Sequence, residues 1–234
     1  LAAFYARFRA HPTLGPVIDV WGFGPMTDVH AVPSEVKLRE AMQNTGCRHL
    51  SVTANDELVK DIPDLRLNLS SLVKGFGSDE MGRRLRAHGL TNFYVAIGGD
   101  VFTSGHNARG QKWQVGISAP VLDWAHGDPV AAVLALSNQA VSTSGDNEKF
   151  FLDAQGRRWG HIFNPKTGHP VQHNLASVSV VAGTCMCSSS LATTLFVLGP
   201  EAGLRFIESR TNAAALFIVR EPDGKMRPIL SSRF

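Results

Sequence analysis

Long apolar runs are missing from this 234-residue chain; none approaches the roughly 18 residues that a membrane-crossing helix needs. Cysteine is scarce too. Cys47, Cys185 and Cys187 are too few for a disulfide framework, and Cys185-Met186-Cys187 is too tight for a zinc knuckle, which leaves them as small buried residues. No GxxxxGK phosphate loop, HExxH zinc helix or GxSxG nucleophile elbow occurs. Repeats, low-complexity tracts and linkers are absent as well. The charge balance is weak, with a formal net charge of +3 and a pI near 8.9. Its one dense cluster, Arg83, Arg84 and Arg86, lacks the interleaved aromatics of a nucleic-acid platform and reads as a solvated helix face. Nucleic acid is therefore not expected as a partner. Leu1 to Ala6 has neither the charged start nor the cleavage pattern of a secretion signal. A chain starting without Met is expected to be a fragment or a processed product.

What is present is enough apolar material, 44% of residues, for one well-buried core, and a single domain over residues 1–234 is expected. Leu1 to Arg9 reads as the end of a helix broken by Pro12 to Pro16, and Trp21 to Pro25 as a loop. Ser34 as N-cap, Glu35 in the first turn and Gly46 as a stop predict a helix over 35–45. Leu65, Leu67 and Leu69 alternate with Arg66 and Asn68, predicting a strand with Asn68 facing away from the leucines. Leu72, Phe76, Met81 and Leu85 are spaced for a helix running to Gly89, in which Gly75 and Gly77 let a ligand approach. Strands are predicted at 93–97 and 113–117, joined through the Gly98-Gly99 turn and a polar loop, and further on at 130–136, 160–163, 178–181 and 213–219. Helices are predicted at 189–198 and 201–209. Strands that are not regularly separated by helices indicate an α+β fold.

Several segments carry chemistry. Lys74, near the start of a predicted helix, offers an ammonium beside free helix amides, which suits an anion; alternatively it is a solvated lysine. Asp79 is acidic and free for a ligand, or pairs with Arg83 at i+4. Gly98-Gly99-Asp100 is a tight turn with an acid at its corner. Ser142-Thr143-Ser144-Gly145-Asp146 ends a strand in a cluster of donors, or is an ordinary turn. His161 carries an imidazole, a group suited to proton transfer, or is a structural histidine. Phe163 can stack on a ligand or fill the core. Ser188, Ser189 or Ser190 can cap the following helix.

Taken in order, Lys74 to Asp79, Gly98 to Asp100, Ser142 to Asp146, His161 to Gly168 and Ser188 to Thr193 resemble the segments KGxxxD, GGD, TSGD, SHxxDPxTG and ADALAT of the ApbE family of FAD:protein FMN transferases. The likeness runs from Pro12 to about Leu198. It implies one ApbE-like α+β domain with mixed, largely antiparallel sheets and packed helices, lacking the family's opening segment. It also implies transfer of FMN from FAD to a Ser/Thr hydroxyl of a flavin-acceptor protein, such as a redox-complex subunit, with release of AMP. The resemblance assigns FAD contacts to Asn68, Lys74, Asp79 and Phe163, and the catalytic proton to His161. Mg²⁺ is assigned to the main-chain carbonyl of Ser71 and to the side chains of Ser189 and Thr193. The family's acids are replaced at Asn68, Asn164 and Ser189, and another is lost in the segment from Ala10 to Pro16, so Asp146 or Glu148 is left as a substitute ligand. Two alternatives follow from those losses: an FAD-binding protein without metal-dependent transfer, or an FAD pyrophosphate hydrolase. The family also implies the periplasm or the outer face of the bacterial inner membrane, with any lipid anchor lying upstream of Leu1.

Overall fold

The computed structural model describes residues 12–25, 30–120, 130–147 and 149–234. The expected helix at Leu1 to Arg9, the residues Ala10 and His11, and Glu148 lie outside them. The chain forms two compact units, one from Leu1–Leu69 with Lys149–Gln172 and one from Ser70–Glu148 with His173–Phe234.

In the first unit, α1 (Gly15–Val20) and α2 (Glu35–Gln43) accompany two short hairpins, β1 (Leu50–Val52) with β2 (Leu58–Lys60) and β8 (Phe150–Leu152) with β9 (Arg158–Gly160). Pro16 occupies the first turn of α1, where a missing N–H costs nothing. Ser34 caps α2 as expected, its hydroxyl accepting from the Lys37 amide. The core gathers on Trp21, which packs with Leu14, Val17, Leu38, Ala41, Trp159 and Phe163. The Trp21 indole N–H donates to the Gly168 carbonyl at 2.9 Å, so this ring is both buried and satisfied.

Two expectations fail here. Residues 65–69 form no strand: Leu65 is buried while Leu67 and Leu69 are exposed. Among the described residues no strand pairs with this run, and the Asn68 amide donates instead to the Pro12 carbonyl at 2.6 Å. The strand expected at 160–163 ends at Gly160, and beyond it Phe163 makes only an isolated bridge to Pro170. Asn164 then closes a turn, its side-chain oxygen accepting from the Lys166 amide at 2.9 Å.

The second unit is a six-stranded sheet flanked by helices on one face and a hairpin on the other. Its strands are β3 (Phe93–Ile97), β4 (Asp100–Ser104), β7 (Ala140–Gly145), β10 (Leu175–Ala182), β11 (Ala213–Arg220) and β12 (Met226–Leu230). Their order is β12-β11-β10-β7-β4-β3, with every neighbouring pair antiparallel. This confirms the α+β reading. Alternation along the strands sends Phe102, Ala140 and Ser142 to one face and Val101 and Val141 to the other. On the second face Val101 and Val141 pack with Val115 and Leu136 of the hairpin β5 (Trp113–Ser118) and β6 (Val130–Leu136). On the first lie α3 (Ser70–Ala87) and α4 (Cys185–Leu198), followed by α5 (Pro200–Glu208).

Strands β3, β6 and β11 fall where the alternation predicted them, within a residue at each end. Gly98 and Gly99, however, do not lead to β5. They form a two-residue turn with φ of +54° and +87° that returns the chain directly into β4, pairing Ile97 with Asp100. The face of α3 also differs from expectation. Its buried residues are Leu72, Gly75, Ser78 and Gly82, whereas Phe76 is 57% exposed. A Cβ at Gly75 would stand 2.7 Å from the Cys185 carbonyl oxygen, so glycine is what allows α3 to touch the start of α4.

Helix α4 begins at Cys185, four residues before the predicted start, with Thr184 as N-cap. Ser188, Ser189 and Ser190 are therefore inside the helix and cap nothing. Ser188 and Ser190 donate to the Cys185 and Met186 carbonyls, and Thr193 to that of Ser189. Such back-bonding is how hydroxyl residues are accommodated within a helix.

Candidate functional site

The second unit brings together Ser71, Lys74, Asp79, Ser189 and Thr193, five of the eight residues singled out in the sequence. Lys74 projects from α3 across the β3–β4 turn and donates to the Gly98 carbonyl at 2.8 Å. A Cβ at Gly98 would sit 2.7 Å from the Lys74 Cδ, so the turn glycine makes room for the lysine stem. The ammonium lies 3.8 Å from Asp100 Oδ1.

Asp100, which the sequence suggested only as an acid at a hairpin corner, is 2% exposed, and its Oδ2 is buried with no partner in hydrogen-bonding geometry. Burial pushes its carboxyl pKa up, while the Lys74 charge and the hydroxyls of Ser189 and Ser142 oppose the shift.

Around this pair runs a ladder of hydroxyls. Ser142 Oγ lies 2.8 Å from Ser188 Oγ, and Ser144 Oγ lies 3.3 Å from Thr193 Oγ1. Ser189 Oγ donates to the Ser71 carbonyl at 3.1 Å, and Thr193 Oγ1 donates to the Ser189 carbonyl at 3.2 Å. The rungs come from β7 and α4 because residues 142 and 144 share the helix-facing side of the strand. Beside them the Cys185 thiol is pushed up to about 12, chiefly by burial and then by the Asp100 charge. It is thus a neutral, inert group at physiological pH.

Asp79 is not paired with Arg83. Its two carboxylate oxygens accept from the Cys185 and Met186 amides at 2.7 and 2.9 Å, anchoring the positive end of α4. Arg83 and Arg84 both bind Glu80 instead.

Asn68, His161 and Phe163 belong to the first unit. His161 Nδ1 lies 3.1 Å from the Lys149 carbonyl oxygen, and its ring stands 6.4 Å from that of Phe23. Phe163 is 4% exposed and packs against Trp21 and Phe23, so its ring belongs to the core. Phe23 also faces His30 at 4.9 Å.

The positions that the resemblance assigns to Mg²⁺ do not fit a divalent ion. They offer two neutral hydroxyls and a carbonyl, and Ser189 already donates its proton to the Ser71 carbonyl. Mg²⁺ sites generally include one or two carboxylates. Among the described residues no group of three or more His, Cys, Asp or Glu side chains is placed to hold a metal. Asp146 accepts from Arg220, which engages both its oxygens.

A lysine ammonium held over a glycine turn and facing a buried aspartate, with a hydroxyl ladder between a strand and a helix, forms the polar centre of this antiparallel α+β unit. The ApbE family profile matches residues 8–217, and the chain belongs to the ApbE family. The FAD:protein FMN transferase of Haemophilus influenzae is 37% identical over 215 residues, which covers 91% of this chain and 61% of that protein. The flavin transferase ApbE from Vibrio cholerae has a TM-score of 0.86 at 33% identity, over 99% of this chain and 72% of that one. The apo flavinyl transferase ApbE of Pseudomonas stutzeri has a TM-score of 0.86 at 34% identity, over 99% and 70%. The chain spans about three fifths of the length of the curated relatives it matches.

Proposed function

We propose that this chain binds FAD and transfers its FMN half to a serine or threonine hydroxyl of an acceptor protein, releasing AMP. The observation that carries the reading is the Lys74 ammonium held over the Gly98 carbonyl, in the same unit as the linked Ser71, Ser189 and Thr193 oxygens, in a chain of the ApbE family. The ammonium and the hydroxyl donors bind the diphosphate and stabilise the charge that grows on its oxygens during displacement.

The acceptor oxygen attacks the phosphorus of the FMN half, the bond from that phosphorus to the bridging oxygen breaks, and AMP leaves with the bridging oxygen. The hydroxyl proton is released to water. No protein-bound covalent intermediate forms, and the acceptor ends with a phosphoester.

The acceptor is proposed to be a flavin-carrying redox subunit in the periplasm or at the outer face of the inner membrane. Incubation with FAD and such a domain tests the scheme: flavin fluorescence on the acceptor band, with an equal amount of AMP, is expected. AMP without labelled acceptor supports hydrolysis. FAD that stays bound and intact supports the second reading, a flavin-binding protein without transfer, which the Ser189–Ser71 hydrogen bond favours.

A further inference from the structure

We infer that this chain grips the FAD diphosphate without a divalent cation, with Lys74 as the resident positive charge. The inference rests on the FAD reading above and sharpens it.

Among the described residues, the carboxylates near the ladder are already committed or enclosed. Both oxygens of Asp79 accept amides from the first turn of α4. Asp100 is buried and faces the Lys74 ammonium. Glu80 is held by Arg83 and Arg84. A dication arriving between Ser71 and Thr193 would therefore meet hydroxyl and carbonyl oxygens, and the carboxylate beside them, Asp100, is buried and faces the Lys74 ammonium.

The same atoms suit a phosphate oxygen well. Lys74 uses one of its N–H groups on Gly98 and has others to give. The Ser144 hydroxyl, which bonds Thr193, can turn toward an anion, while Ser189 and Thr193 would exchange their carbonyl acceptors for the phosphate oxygen. Substitution of a carboxylate by serine at position 189 converts a cation cradle into part of an anion cradle. The carboxylate that would have drawn Mg²⁺ to this position is no longer there, and the diphosphate charge is left to Lys74.

The test is equilibrium binding of FAD to the whole chain, followed by flavin fluorescence in excess EDTA and in excess Mg²⁺. The expected affinities agree within about twofold, and Ser189→Asp makes binding at least about tenfold tighter in Mg²⁺ than in EDTA. Wild-type binding that tightens tenfold or more on adding Mg²⁺ overturns the inference while leaving the FAD reading in place. Failure to bind FAD in either buffer overturns both. Should Ser189→Asp not fold, the wild-type pair of titrations alone decides.

Discussion

The first unit is centred on rings and the second on hydroxyls. Around Trp21 the side chains of Trp159, Phe151 and Phe163 meet at centroid distances of 4.9 to 6.5 Å, and one indole hydrogen bond satisfies the group. Beneath α4 the packing instead runs through Ser142, Ser144, Ser188 and Thr193, beside a buried carboxylate. An apolar cluster gains from every buried surface and asks for little direction. A buried polar seam is stable only while each donor finds its acceptor, which fixes one arrangement of helix on sheet. That fixed arrangement suits holding a charged ligand.

Breaking the aromatic side should have the largest effect on stability. Trp21→Ala leaves a cavity at the centre of the first unit, and a loss of about 4 kcal/mol is expected in urea unfolding. A loss below about 1 kcal/mol would contradict the role given to this ring. Next comes the helix contact of the second unit. Gly75→Val drives a side chain into the Cys185 carbonyl, and about 2 kcal/mol should be lost, with the near-ultraviolet dichroism altered because α3 and α4 must part.

The smallest effect concerns Asp100. Its folded pKa is raised, so the folded state binds the proton more tightly than the unfolded chain does. The stabilisation this gives is full below the unfolded pKa and is lost as pH rises through the folded value. Against Asp100→Asn, which does not titrate, the wild type should therefore gain relative stability as pH falls from neutrality. Parallel denaturation profiles at all pH values would show that Asp100 does not titrate as a buried acid.

The comparison also explains what the sequence made legible. Strands β3, β6 and β11 and the Ser34 cap could be read because alternation and capping are local signals. Strand β4 was hidden because Gly98-Gly99 was read as a bridge to Trp113, when both glycines belong to a turn of two residues. Ser177 and Ser179 broke the apolar run of β10, so only its middle was predicted, although nearly the whole strand is buried. The serines of α4 looked like a cap because their bonds to preceding carbonyls leave no trace in the sequence.

At the candidate site, order and residue type pointed to Ser71, Lys74, Ser189 and Thr193, which the fold gathers in one unit. The capping role of Asp79 and the burial of Asp100 depend on contacts made across the fold. Asp79 reaches amides more than a hundred residues away, and nothing local announces such a pairing.

The central claim is that Lys74 and the hydroxyl ladder recognise phosphate. It is tested most directly by titrating wild type and Lys74→Ala with FAD and with riboflavin, which lacks the phosphates. Wild type should prefer FAD, and the variant should lose about tenfold or more in FAD affinity with its riboflavin affinity unchanged. Equal FAD binding by the two proteins, or an equal loss for both ligands, would contradict it.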